Sequence, residues 1–95
     1  MLSGSTPQRQ EVRYLGEVQG VGFRYTTIRV ARGYEVTGFV RNEPDGSVRL
    51  VVEGEPAEIE ACLRDLAEVM SGNIRDVMLQ KLPATGEFKD FTIRR

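Results

Sequence analysis

The chain has 95 residues, enough for one domain that buries roughly 60–65 % of its unfolded surface without help from disulfides or metal. With 13 Lys and Arg against 14 Asp and Glu its net charge is −1, which gives no long-range pull on a polyanion or a membrane and argues against a nucleic-acid partner. It has no histidine and one cysteine, Cys62, which removes the usual imidazole base, any multi-histidine metal site and any disulfide framework within one chain.

Met1 to Gln10 is polar, with Ser3, Gly4, Ser5, Thr6 and Pro7, and lacks the apolar h-region of a signal peptide. We expect a flexible tail over residues 1–10, a folded domain over 11–95, and a cytoplasmic protein. No stretch approaches the roughly 20 apolar residues that a membrane span needs.

From Glu11 to Val18, Val12, Tyr14, Gly16 and Val18 share one phase and Arg13, Leu15 and Glu17 the other, the period of a half-buried strand. Gly16 lies in the apolar phase, where the missing side chain lets a helix or loop approach the sheet closely. The stretch Gln19-Gly20-Val21-Gly22-Phe23-Arg24 then leads into an amphipathic helix over about Arg24 to Arg32, closed by Gly33. Thr26, Thr27, Ile28 and Val30 give that helix mediocre propensity, so packing on Phe23 and Ala31 must hold it.

Val36, Gly38 and Val40 alternate with Thr37, Phe39 and Arg41 in a second strand whose core phase continues to Asn42. Glu43-Pro44-Asp45-Gly46 is a turn signal, and Val48, Leu50 and Val52 form the inward face of a third strand, with Ser47, Arg49, Val51 and Glu53 opposite. Pro56 opens a second helix with a stripe of Ile59, Cys62, Leu63, Leu66, Val69 and Met70, which Ser71-Gly72-Asn73 ends. Ile74 to Leu82 reads as a fourth strand with an irregularity near Asp76, Pro83 to Lys89 as a loop, and Phe91 and Ile93 as the inward residues of a short last strand at the sheet edge.

The order β-α-β-β-α-β suits an α+β ferredoxin-like sandwich: a mainly antiparallel sheet, two helices on one face, and a short C-terminal strand. In its usual strand order the first and third strands are central neighbours and the second flanks the third. The first two strands then run parallel, with the glycine stretch and Asn42 at the same end. Two strand spacings of about 4.8 Å part them, roughly 10 Å that an arginine and a carboxamide can close around a phosphate.

Gly20 and Gly22 permit backbone angles at which N–H groups converge into a nest, and a helix start adds unpaired donors and partial positive charge. A phosphoryl group suits such a cradle, and Arg24 can grip its oxygens through a fork of donors. The plain alternative is a glycine-rich strand-to-helix loop beside a surface arginine.

Gly16-x-Val18-Gln19-Gly20-Val21-Gly22-Phe23-Arg24, followed by Gly38-Phe39-Val40-Arg41-Asn42-x-x-Asp45-Gly46 and the closing Phe91-x-Ile93, resembles the acylphosphatase family from about Val12 to Arg94. The resemblance implies hydrolysis of acyl phosphates to a carboxylate and inorganic phosphate. It makes Arg24 the phosphate-binding residue, Asn42 the residue that positions the attacking water, and the backbone of Gln19, Gly20, Val21, Gly22 and Phe23 the substrate cradle. It also implies no metal and no organic cofactor. A second reading is a non-catalytic phosphate or carboxyl-phosphate binding module of the same fold. The chain's ending directly after its last strand leads us to expect a free-standing enzyme instead. An RNA-binding domain of this fold wants exposed aromatics on the central strands, whereas Tyr14 falls in the buried phase and the third strand has none.

The remaining polar residues read as ordinary surface or core. Cys62, in the apolar stripe, suits a packed thiol better than a nucleophile. Glu17, Arg41 and Arg49 suit solvated strand positions, and the sequence does not place Arg94 and Arg95. The even charge and the lack of a conspicuous exposed apolar run lead us to expect a monomer.

Overall fold

The computed structural model describes residues 6–95. Five strands and two helices follow in the order β1 (Gln8–Gly16), α1 (Phe23–Ala31), β2 (Val36–Asn42), β3 (Val48–Gly54), α2 (Pro56–Val69), β4 (Ile74–Pro83) and β5 (Phe91–Arg94). The sheet order is β4-β1-β3-β2-β5. β3 is antiparallel to both β1 and β2, which makes those two parallel, and β5 runs parallel to β2 at one edge. This is the expected ferredoxin-like arrangement. Its core lies between sheet and helices, where Val12, Tyr14, Val40, Val48, Leu50 and Val52 meet Phe23, Ala31, Ile59, Cys62 and Leu66. Neither helix is long and apolar enough to cross a membrane.

Several details depart from expectation. β1 begins at Gln8 rather than Glu11, because Gly54 and Pro83 of the flanking strands both pair with Gln8. Residues 8–10 of the expected tail are therefore sheet, with Gln10 buried and its amide donating to Gln8 Oε1 at 2.8 Å. Residues 1–5 of that tail lie outside the described residues. Gly33 does not close α1 with a left-handed turn. The chain instead tightens in right-handed form at Arg32, with Gly33 N–H bonded to Val30 O and Tyr34 N–H to Ala31 O.

In α2 the inward positions are Ile59, Cys62, Leu66 and Met70, while Val69 is exposed. Met70, four residues after Leu66, takes the inward place, and its neighbour is turned about 100° away. The expected irregularity in β4 is present. Leu15 pairs with Asp76 but Gly16 with Ile74, leaving Arg75 as the extra residue.

β4 also exposes Val77, Met78 and Leu79, an apolar run whose expected absence had favoured a monomer. Arg75, Asp76 and Lys81 are likewise exposed and place charges along this edge strand, which discourages edge-to-edge pairing.

The face of the sheet away from the helices is not simply solvated. Val51 and Glu53 of β3 are buried there, as is Phe39 of β2, whose ring meets that of Phe88 at 5.8 Å. Arg94 stands 4.1 Å above the Phe39 ring, which accounts for the burial of an aromatic residue in the outward phase.

Candidate active site

The two halves of the site are levelled by one residue. Val48 pairs with Tyr14 in the β1–β3 ladder and with Asn42 in the β2–β3 ladder, so all three form a row across the sheet. Asn42 thus stands two strand spacings, about 10 Å, from Tyr14, two residues before the end of β1, in the phase that faces the helices.

Beyond β1 the chain is held before it turns. Glu17 N–H donates to Asn73 O at 2.9 Å and Asn73 Nδ2 to Glu17 O at 3.1 Å. This approach is why residue 16 is glycine, since a Cβ there would collide with the Asn73 carbonyl and would lie 2.8 Å from Arg75 N. Val18 then enters the core. Gly20 and Gly22 adopt φ of +75° and +79° with nothing within 4 Å of a would-be Cβ, so backbone angle rather than space calls for glycine. Phe23 pins the far end of the loop, its ring 5.0 Å from that of Tyr14.

The start of α1 lacks the usual helix-start devices. Its N-cap, Gly22, offers no side-chain bond, and its first turn carries no acid. Arg24 sits there instead, a cation at the positive end of the helix dipole. α2 opens conventionally, with Pro56 at its first position and Glu58 in its first turn. No main-chain N–H from Gly20 to Tyr25 finds a protein acceptor among the described residues, and Thr26, bonded to Gly22 O at 2.9 Å, is the first that does. A run of unpaired donors beside a guanidinium is an arrangement that an anion completes.

Of the residues from Gly20 to Tyr25, all but Val21 line a cavity of about 100 Å³. Its wall takes Gly20, Gly22, Arg24 and Asn42 over the buried Val18 and Phe23, with Tyr25 at its side. The volume suits a phosphoryl group better than a ligand of the usual 300–1,000 Å³ class. Arg24 is half-buried and, among the described residues, makes no ion pair and no side-chain hydrogen bond. Asn42 Oδ1 is the one buried side-chain oxygen or nitrogen without a hydrogen-bond partner among the described residues. A buried acceptor costs about 1–3 kcal/mol when unsatisfied, so its place on this wall marks it for a guest.

Of the expected site residues, Gly20, Gly22, Phe23, Arg24 and Asn42 come together. Val21 is exposed on the loop and does not line the cavity, and neither does Gln19. The Gln19 side chain turns toward the β2–β3 hairpin, where Nε2 donates to Glu43 O and Ser47 O, each at 2.8 Å. Sequence reasoning missed this contact and also Tyr25, whose only signal was its place next to Arg24. Glu17 is exposed, as expected. Cys62 is buried, and desolvation, with Asp65 and Glu58 nearby, raises its thiol to about 11, too high for a nucleophile near neutral pH.

A wider depression of about 280 Å³ opens on the other face between Glu11, Arg13, Arg49, Met78 and Gln80. Its charges are already matched, Arg49 with Glu11 at 3.1 Å and Arg13 with Asp45 at 3.1 Å.

Comparison with known proteins gives a consistent result. The model of the acylphosphatase family matches residues 10–93. The chain is 45% identical over 86 residues to the acylphosphatase of Paenarthrobacter aurescens, covering 90% of this chain and 92% of that one. It is 42% identical over 95 residues to the acylphosphatase of Salinibacter ruber, covering 99% and 100%. Among solved structures, the acylphosphatase from Bacillus subtilis superposes with a TM-score of 0.83 over 93% of this chain and 99% of that one; at 22% identity this likeness speaks for the fold.

Proposed function

The chain belongs to the acylphosphatase family, and from that premise we propose that Arg24 and the main-chain N–H groups of Gln19 to Phe23 bind the phosphoryl group while Asn42 orients the attacking water. The activity is hydrolysis of an acyl phosphate to a carboxylate and inorganic phosphate. The observation that carries the residue assignment is the pairing across one cavity of a run of unpaired N–H groups with the unpartnered Asn42 Oδ1.

So few groups suffice because the leaving group is a carboxylate, which departs without a strong general acid. What remains is in-line positioning and neutralisation of charge on the phosphoryl oxygens. The cradle and Arg24 supply the donors. Asn42 accepts a hydrogen bond from the water through Oδ1 while its Nδ2 can donate to the phosphoryl group. The water oxygen bonds to phosphorus, the bond from phosphorus to the acyl oxygen breaks, and its electron pair leaves on the carboxylate. The water proton passes to a phosphoryl oxygen of the substrate, since a carboxamide is no base near neutral pH. No step calls on a metal.

Both halves of the site lie on one chain, which supports action as a monomer. A cytoplasmic setting accords with Cys62, a buried free thiol.

The test is steady-state hydrolysis of acetyl phosphate with chelator present. Wild type should exceed the spontaneous rate by orders of magnitude. Arg24→Ala should lower kcat/KM by on the order of 10²-fold or more and weaken competitive inhibition by inorganic phosphate. Asn42→Ala should lower kcat by a similar factor and weaken phosphate inhibition by less than about 10-fold, well below the effect of Arg24→Ala, since it removes one neutral donor to the phosphoryl group. Wild-type hydrolysis at the spontaneous rate would leave only a binding module, and full turnover by Asn42→Ala would remove the water-positioning role.

A further inference from the structure

We propose that Gln19 is a positioning residue that sets the distance between the phosphate cradle and Asn42; the proposal rests on the reading of Arg24 and Asn42 given above. β1 and β2 are not neighbours, because β3 lies between them, and both ladders end on the row Tyr14–Val48–Asn42. Past that row no strand pairing fixes the cradle against the hairpin that begins at Asn42. Gln19 spans the gap there, giving one hydrogen from Nε2 to Glu43 O and the other to Ser47 O, both at 2.8 Å.

These bonds are not needed to satisfy the hairpin. Glu43 O already accepts from Gly46 N–H at 3.1 Å, and Ser47 O from Glu43 N–H at 2.8 Å. The turn is further braced by Asp45 Oδ1, which accepts from Ser47 N–H at 2.9 Å and from Ser47 Oγ at 2.6 Å. A turn closed by its own bonds gains little local stability from a second donor on each carbonyl. The second donor joins that turn to the loop of Gly20 and Gly22. Glu43, one of the two residues Gln19 holds, directly follows Asn42, so the amide fixes the backbone from which the water-orienting side chain projects.

In-line attack depends on that spacing, because a displacement of about 1 Å between reacting groups can cost on the order of 10²-fold in rate. The Gln19 side chain touches neither substrate nor water in this account, and its substitution leaves the main-chain N–H in the cradle. It acts through Asn42.

Three variants, Gln19→Met, Asn42→Ala and the double variant, form a cycle assayed by acetyl phosphate hydrolysis and by competitive inhibition with inorganic phosphate. Gln19→Met keeps the length of the side chain and removes both donors. It should lower kcat roughly 10- to 100-fold and leave the phosphate inhibition constant within about 3-fold, since the cradle is intact. In the Asn42→Ala background the same substitution should change kcat by less than about 3-fold, because the group it positions is gone. An undiminished Gln19→Met effect in that background would overturn the proposal, as would a loss confined to KM and phosphate affinity. Gln19→Glu provides a second single variant in case Gln19→Met misfolds, with the melting temperature of each recorded. It too removes both donors, and it sets a carboxylate against the two carbonyls. If Arg24→Ala or Asn42→Ala kept wild-type turnover, the reading of the site would fail, and that outcome is separate from failure of the cycle.

Discussion

The two faces of this sheet use arginine in opposite ways. On the face away from the helices, Arg9, Arg13, Arg41 and Arg49 each meet a carboxylate, at 2.8 Å for Arg9 with Glu87 and 2.9 Å for Arg41 with Glu43. Arg94 lies over the rings of Phe39 and Phe88 at 4.1 and 5.6 Å. On the helix side Arg24 has no carboxylate, and the N–H groups around it have no acceptor among the described residues. A guanidinium whose donors are taken holds elements together; one whose donors are free, beside other free donors, keeps its binding capacity for a ligand. With the site proposed above, the division becomes one between stability and activity, and substitutions on the two faces can test it.

Glu53 should give the largest effect on stability. It is buried, and its carboxylate accepts from Thr85 N–H at 3.0 Å, Gly86 N–H at 2.9 Å, Thr85 Oγ1 at 2.9 Å and Arg9 at 3.2 Å, so it fastens the loop between β4 and β5 to the sheet. Glu53→Gln leaves one oxygen for these donors and turns an amide against them. It should cost about 3 kcal/mol in denaturant unfolding and leave kcat/KM within about 2-fold. Burial alone would raise this carboxyl, but the donors from Thr85 and Gly86 together with Arg9 outweigh it and hold the group below its ordinary value of 4.5. Glu11, also desolvated, is held low by Arg49 and Arg9. The unfolded chain therefore takes up these protons first on acidification. The stabilisation is present above about pH 4.5 and is lost as pH falls through the lower folded values. Melting temperature followed from pH 7 to pH 3 should fall most steeply below 4.5 in wild type and less steeply in Glu53→Gln.

The cradle should respond with a smaller stability change and a larger kinetic one. At Gly22 a side chain meets nothing within 4 Å, so Gly22→Ala carries only the strain of a φ of +79°, about 1–2 kcal/mol. Gly22→Asn should recover part of that, because asparagine tolerates the left-handed region better. If Ala relaxes by rotating the peptide units, the N–H groups turn away from the cavity. Phosphate inhibition should then weaken more for Ala than for Asn, and equal inhibition constants in both variants would show that the nest geometry does not matter.

What could be read from the chain follows the same division. The cradle and Asn42 were legible because each leaves a local mark: glycine where φ must be positive, and strand phase that carries Asn42 to the helix side. The coverage of the far face was not, because it is assembled from distant residues. Phe39 sits in an outward phase, and what buries it is Phe88 and Arg94. Residues 8–10 escaped notice because both phases are polar there, though β3 and β4 run on to pair with them. The Gln19 contact had no signal at all, since a single amide has no periodicity and its acceptors are main-chain carbonyls more than twenty residues on.

Arg94 is where the division between the faces is most exposed to disproof. It pairs in register with Arg41, the residue before Asn42, and so shares with Arg13, Arg49 and Arg41 the row next to the site, where the other three each meet a carboxylate. Its contacts are to aromatic rings rather than to a carboxylate, and it is exposed, so Arg94→Ala should cost about 0.5–1 kcal/mol. That loss should disappear in a Phe39→Leu background, where the ring it covers is absent. Hydrolysis of acetyl phosphate should stay within about 2-fold, because a guanidinium engaged with rings on one face does not reach a phosphoryl group held on the other. A fall in kcat/KM above about 5-fold, with stability unchanged, would mean that Arg94 acts on the substrate through its charge. Repeating the measurement at 0.5 M salt decides that case, since an electrostatic contribution over such a distance is screened when the Debye length falls below about 5 Å.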